Sequence, residues 1–195
     1  QIAGIGLLWL AGEPLWRAIN HGMTAIATGG FSITDDSLMQ ASGAVQLAYI
    51  PVMLAGAVSF LVHYRLIVER RPLPSVWRTD ELRLLVWLTV GGLVLLWLER
   101  WLAMGDWGGV STAFLWVSAL TTAGFTSVDL ASWGDAALLL VLVAVITGGM
   151  AGSTSGGIKL LRVNVLLRDL LGQLRELRAS PHEVVILPHD GERVT

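Results

Sequence analysis

The chain is expected to fold as an all-α membrane protein. Its units would be membrane-pore-membrane repeats (helix, re-entrant pore helix and loop, helix), with one helix broken. Three observations give this expectation. The 195 residues are 54% hydrophobic and 14% charged, with a mean hydropathy of +0.65, outside the usual range of soluble domains. Thr28-Gly29-Gly30-Phe31-Ser32 and Thr122-Ala123-Gly124-Phe125-Thr126 repeat one pattern, each after a short apolar segment and before an acidic residue, Asp35 or Asp129. Such self-similarity points to a duplicated unit. Finally, a run of glycines and hydroxyls over 147–158 interrupts the last apolar segment.

The elements follow in order. Ile2 to Ala11 is too short to span a bilayer core of ~30 Å, and Gln1 opens no basic leader region. The chain therefore reads as an excerpt beginning partway through a helix. Gly12-Glu13-Pro14 marks a break, and Pro14 suits a first helical turn, so 14–25 is expected to form a half-length pore helix. The loop 27–32 follows it; irregular backbone survives at membrane depth only facing protein or water. The run 44–65 is long enough to span, with a kink expected at Pro51 and close helix contact at Gly56. Residues 67–81 form a polar connection containing Pro72 and Pro74.

The second unit covers 82–178. A spanning helix is expected over 82–104, with Glu99 and Arg100 snorkelling at its outer end. A pore helix is expected over 108–120 and a loop over 121–126. The span beginning at 136 is broken over 148–158, because each glycine costs roughly 1 kcal/mol relative to alanine inside a helix. Helical periodicity resumes over 160–177, and 179–195 is a polar tail. The first unit, 1–66, is the same design with its first helix cut short.

Charge gives the orientation. Arg65, Arg70, Arg71, Arg78 and Arg83 crowd one connection, and Lys159, Arg162, Arg168, Arg175 and Arg178 follow the last apolar run. The loop-bearing connections carry Asp35, Asp36, Asp106, Asp129 and Asp135 instead. By the positive-inside rule the Arg-rich sides are cytoplasmic and both Thr-x-Gly loops open outward. Trp77, Trp101, Trp107 and Trp133 stand near the ends of apolar runs, where interfacial belts place them. No cysteine is present, so disulfides and thiolate metal sites are excluded.

A Thr-x-Gly-aromatic loop has the chemistry of a potassium filter. Its carbonyls replace the water around a bare cation, and glycine allows the dihedrals that aim them at one axis. The bland reading is a pair of glycine turns between helices. For 148–157 the competing reading is a small-residue packing face, Gly152 and Gly156 having GxxxG spacing. A phosphate loop fails, since Ile158 separates Gly157 from Lys159 and Leu160 follows it. His63 reads as an interfacial structural histidine against a proton relay, and His21 as a packing or hydrogen-bonding residue. Asp35 and Asp129 either concentrate cations at the mouth or cap local turns.

The motifs Ala27-Thr28-Gly29-Gly30-Phe31-Ser32, Thr121-Thr122-Ala123-Gly124-Phe125-Thr126 and Gly149-Met150-Ala151-Gly152-Ser153-Thr154-Ser155-Gly156-Gly157-Ile158-Lys159 resemble those of the Trk/Ktr/HKT superfamily of potassium transporters, in particular the bacterial TrkH and KtrB group. The resemblance extends over nearly the whole chain. It implies the second and third of four repeats around one pore, the first and fourth lying elsewhere in the same polypeptide. It implies potassium held by carbonyls of Thr28, Gly29, Gly30, Thr122, Ala123 and Gly124, beside Phe31 and Phe125. Gly152, Ser153, Thr154, Ser155, Gly156 and Gly157 would form the gating loop beneath. Lys159 and Arg162 would face a cytoplasmic nucleotide-binding ring, so that NAD or ATP is held by that partner. A homodimer in the bacterial inner membrane, no covalently bound cofactor, no nucleic-acid partner and no enzymatic activity complete the expectation. The rival function is a secondary transporter binding a solute or cation at broken helices near the midplane, which should show discontinuous spans in both halves. A purely structural subunit would leave the filter residues without purpose.

Overall fold

The computed structural model describes residues 1–77 and 79–176. The tail expected over 179–195, with Arg78 and Arg178 of the basic clusters, lies outside the described residues. Nine α-helices are present among the described residues: α1 (Ile2–Leu10), α2 (Leu15–Ile26), α3 (Gly43–Ala57), α4 (Phe60–Ile67), α5 (Leu73–Val76), α6 (Asp80–Met104), α7 (Gly109–Leu120), α8 (Asp135–Thr147) and α9 (Leu160–Glu176). A 3-10 turn, Leu130–Ser132, precedes α8.

The two copies share one arrangement. Half-length α2 packs against α1 and α3, and half-length α7 packs against α6 and α8. The copies join mainly through α3 and α7. There Ser111 Oγ donates to Gln46 Oε1 at 3.0 Å, while Gln46 Nε2 donates to the Ala41 carbonyl at 3.0 Å. Nine consecutive α7 residues, Thr112 to Leu120, and Thr121 at the start of the loop are shielded from solvent. The core runs behind the loops, with Tyr49, Phe114 and Phe125 at its centre; Tyr49 meets the other two edge-on at 6.0 and 5.5 Å between ring centroids.

Helix α6 is long and apolar enough to cross a membrane alone. Its face toward α7 is notched at Gly92, over which the Trp116 indole lies while Nε1 donates to the Leu88 carbonyl at 3.2 Å. A Cβ at Gly92 would stand 1.8 Å from Trp116 Cζ2, whereas a Cβ at neighbouring Gly91 meets nothing within 4 Å. Gly92→Ala is therefore expected to destabilise the protein by ~1–3 kcal/mol through overpacking. Gly91→Ala should stabilise it by up to ~1 kcal/mol through helix propensity. Thermal unfolding midpoints in detergent should move in opposite directions for the two variants.

The expected continuous span 44–65 is corrected. Helices α3 and α4 meet at Val58–Ser59 with a bend of 100°. Pro51 does not make the break; it stands on the exposed face of α3, which continues to Ala57. The cause is tertiary. The Ala57 carbonyl accepts from Met150 N at 3.0 Å and the Gly56 carbonyl from Thr154 N at 3.1 Å, so groups that would continue the helix are taken by the loop. Ser59 Oγ caps α4 by accepting from Leu61 N, and Phe60 N donates to the Gly152 carbonyl at 2.9 Å. His63 Nε2 closes the corner on the Ala55 carbonyl at 2.9 Å, which is the structural role of that histidine.

At the C-terminal end of α6, Arg100 Nη2 reaches Asp106 Oδ2 at 3.3 Å and its guanidinium lies over the Trp133 ring at 4.8 Å. Trp133 is thus buried inside the protein, whereas an interfacial position was expected. The Gly108 backbone N–H and then Arg100 hold the exposed Asp106 carboxyl below its ordinary range. At the opposite end Arg168 of α9 pairs with Asp80 at the start of α6.

Candidate functional site

Both half-helices end in the same device. At the end of α2, Thr28 N donates to the Ala25 carbonyl at 3.2 Å and Gly29 N to the Thr24 carbonyl at 2.9 Å. After α7, Thr122 N donates to Ala119 O at 3.0 Å and Ala123 N to Ser118 O at 2.9 Å. These are Schellman motifs, in which the left-handed position is normally glycine. Threonine stands there in both copies, Thr28 at φ 50° and Thr122 at φ 56°. A non-glycine residue in that region costs about 1–3 kcal/mol, and such strain concentrates at functional sites. The glycine two residues on is also left-handed in each copy, Gly30 at φ 68° and Gly124 at φ 79°. A hydroxyl of the half-helix then ties back the aromatic residue: Thr24 Oγ1 donates to Phe31 O at 3.0 Å, and Ser118 Oγ to Phe125 O at 2.7 Å.

The two Thr-x-Gly loops meet. A Cβ on Gly30 would lie 2.7 Å from the Ala123 carbonyl oxygen and 3.2 Å from Gly124 Cα. The loops are also cross-braced, since Ser37 Oγ accepts from Thr126 N at 3.2 Å and Leu38 N donates to Thr126 O at 3.0 Å. Their aromatic residues differ. Phe125 is 1% exposed, packed between Tyr49 and His21 of the other copy, whereas Phe31 is 75% exposed.

The stretch 148–159 lies beneath both loops as a compact knot. Ile158 N and Lys159 N donate to the Ile146 and Thr147 carbonyls, closing its neck. Gly148 and Gly157 pass so closely there that a Cβ on Gly157 would stand 2.7 Å from Gly148 Cα. Ser155 Oγ accepts from Gly149 N at 3.0 Å and meets Ser153 Oγ at 2.8 Å. The knot touches both copies. Gly156 N donates to Thr122 Oγ1 at 2.6 Å. Thr154 Oγ1 lies 2.9 Å from Ile26 O, 2.8 Å from Gly56 O and 3.4 Å from Thr28 Oγ1. Since 148–159 is not helical, Gly152 and Gly156 form no helix-packing face.

Thr28, Gly30, Thr122, Ala123 and Gly124 of the expected filter are thus brought together above Thr154 and Gly156 of the expected gating loop. Lys159 departs from expectation. At φ 80° it turns its ammonium back onto the Ser153 and Ser155 carbonyls, so it forms part of the knot; Arg162 is exposed. Asp129 Oδ1 caps the 3-10 turn by accepting from Ala131 N at 3.0 Å, and Asp35 is exposed. The roles of His21 and Ser37 could be found only in three dimensions, since their partners are distant in sequence or on another helix.

A family model described as TrkH, cation transport protein, matches residues 9–107 and 109–194. The chain is 31% identical over its whole length to the Trk system potassium uptake protein TrkG of Escherichia coli, covering 40% of that protein. It is 29% identical over 96% of its length to an uncharacterized cation transporter of Methanocaldococcus jannaschii, covering 37% of it. Among solved structures, the potassium transporter TrkH from Vibrio parahaemolyticus superposes with a TM-score of 0.90 at 30% identity, over 99% of this chain and 42% of that one. The chain therefore spans about two fifths of the length of these relatives.

Proposed function

Because this chain belongs to the TrkH family of cation transport proteins, we propose that it forms part of a selective potassium pore in the bacterial inner membrane. Residues 1–66 and 82–178 are two pore repeats, joined by the cytoplasmic connection 67–81. The carbonyls of Thr28, Gly29, Gly30, Thr122, Ala123 and Gly124 line the ion path, and the knot 152–157 is its gate. The observation that carries this reading is the pair of identical strained turns, held at Thr28 and Thr122, whose glycine loops converge directly over Thr154 and Gly156. Backbone carbonyls fixed in this way can compensate the dehydration of a bare cation without any covalent chemistry. The Arg-rich connections face the cytoplasm, where a nucleotide-binding ring regulates the pore; lipid surrounds it, further repeats complete it, and two copies associate.

Solute binding at broken helices is the second reading, and one observation favours it. Both second helices are discontinuous, at Val58–Ser59 and across 148–159. Discontinuity in one half alone therefore no longer separates the two functions. The matched turns do, because solute binding has no need of the same strained threonine twice. The test is potassium flux through the full gene product in liposomes, driven by a membrane potential with no sodium or proton gradient. Sustained flux supports the pore. Flux that requires a co-ion gradient favours coupled transport.

A further inference from the structure

We infer that His21 is a positioning residue that fixes the outer end of the first filter loop, through a polar anchor that the second copy lacks. The inference rests on the filter reading above. His21 lies fully buried on α2 with both ring nitrogens engaged. Nε2 accepts from the Ile33 backbone N–H at 3.2 Å and stands 3.2 Å from Ser32 Oγ. An imidazole nitrogen that accepts carries no proton, so the proton sits on Nδ1, which donates to Tyr49 Oη at 2.8 Å. Beside this pair stands the buried Glu13 carboxyl, whose Oε2 lies 3.5 Å from Arg17 Nε and 3.8 Å from His21 Nδ1.

A polar chain thus runs from Tyr49 through His21 to Ile33, two residues past the exposed Phe31. Ser32 carries it further, because Ser32 Oγ also accepts from Thr34 N at 3.1 Å. Thr24 grips the Phe31 carbonyl from the same helix, one turn along. Together they hold the loop on either side of Phe31.

The second copy has nothing equivalent. Leu115 occupies the matching position of α7 and is buried. Its loop is fixed instead by the burial of Phe125 and by Ser37 and Leu38 holding Thr126. Phe31 has no such burial, so the polar contact of His21 supplies the constraint that packing supplies at Phe125. The Phe125 ring lies tilted against His21, 5.9 Å between centroids, so this histidine also forms part of the wall for the second loop.

The test uses the full gene product in potassium-uptake-deficient cells, reading the potassium-over-sodium uptake ratio at measured membrane abundance. His21→Leu, which installs the residue type of the matching position, should lower the ratio on the order of three- to tenfold by freeing the Ile33 end of the loop. His21→Gln, whose side-chain oxygen can accept from Ile33 N–H, should keep it within about twofold of the parent. An unchanged ratio in His21→Leu overturns the inference, as does a ratio in His21→Gln as low as in His21→Leu. If His21→Leu fails to reach the membrane, Ser32→Ala and Tyr49→Phe decide, each removing one partner of the imidazole without adding bulk. A lowered ratio in either at normal abundance supports the role; unchanged ratios in both overturn it. Gly30→Ser is measured alongside. An unaltered ratio there sinks the filter reading itself, whereas an altered ratio there with an unaltered one in His21→Leu sinks only the role of His21.

Discussion

Serine at Gly30 is expected to lower potassium-over-sodium selectivity ~10-fold or more, and serine at Gly124 only about threefold. The two glycines match in sequence and in backbone, at φ 68° and 79° in the same left-handed well. Any side chain there carries the strain of that region, ~1–3 kcal/mol, in both copies. Their surroundings differ. A Cβ at Gly30 meets the Ala123 carbonyl oxygen at 2.7 Å, and that oxygen belongs to the proposed ion path. A Cβ at Gly124 meets only Gly30 Cα, at an ordinary 3.4 Å. Serine at position 30 therefore displaces ligands of both loops, while serine at 124 strains one. Relative uptake of the two ions at matched membrane abundance measures the difference. Equal effects would mean that the loops do not press on each other during transport.

If the knot is the gate proposed above, removing the Thr154 hydroxyl is expected to raise potassium uptake about three- to tenfold and to weaken dependence on the proposed regulatory partner. Thr154→Val keeps the shape and the β-branch. It loses the contacts to Ile26 O, Gly56 O and Thr28 Oγ1, which hold the knot beneath the first loop. Gly56 O retains the Thr154 backbone N–H, so the net loss is one to two hydrogen bonds, each worth ~0.5–1.5 kcal/mol. The stated increase corresponds to a shift of ~0.7–1.4 kcal/mol in a closed-to-open equilibrium, about the loss of one such bond. Thr154→Ser restores the hydroxyl and should return uptake to the parent level. Uptake that falls in proportion to membrane abundance would assign the knot to folding alone.

Much of this architecture is legible in the sequence, and what escapes it does so for physical reasons. The half-helices expected over 14–25 and 108–120 appear as Leu15–Ile26 and Gly109–Leu120, because Pro14, Gly108 and the loop glycines are local signals of start and stop. The break over 148–158 is likewise written in local composition. The break at Val58–Ser59 is not. Residues 57–62 are mostly apolar and carry no proline, and the chain bends there because Met150 and Thr154 claim carbonyls nearly a hundred residues upstream. Proline was the wrong signal, since at Pro51 the helix simply continues. Phe31 and Phe125 read alike in sequence, yet one is exposed and the other forms the core, because burial depends on the neighbouring copy. By resemblance Lys159 is expected to face the cytoplasmic ring; its left-handed backbone turns its ammonium back onto the knot.

The corner between α3 and α4 has a consequence for how the proposed gate responds to its medium. The carbonyls of Ile26, Gly56 and Ala57 are satisfied by the knot while it is seated. When the knot withdraws, polar backbone cannot be left bare at that depth, so solvent must take its place. Opening is then a hydration reaction as much as a movement, with water appearing on one side of the equilibrium. Lower water activity, imposed by a solute excluded from the cavity, pushes such an equilibrium toward the seated knot. On the gate reading proposed above, the same hydrogen bonds that shape the corner would make the passage of ions answerable to osmotic pressure.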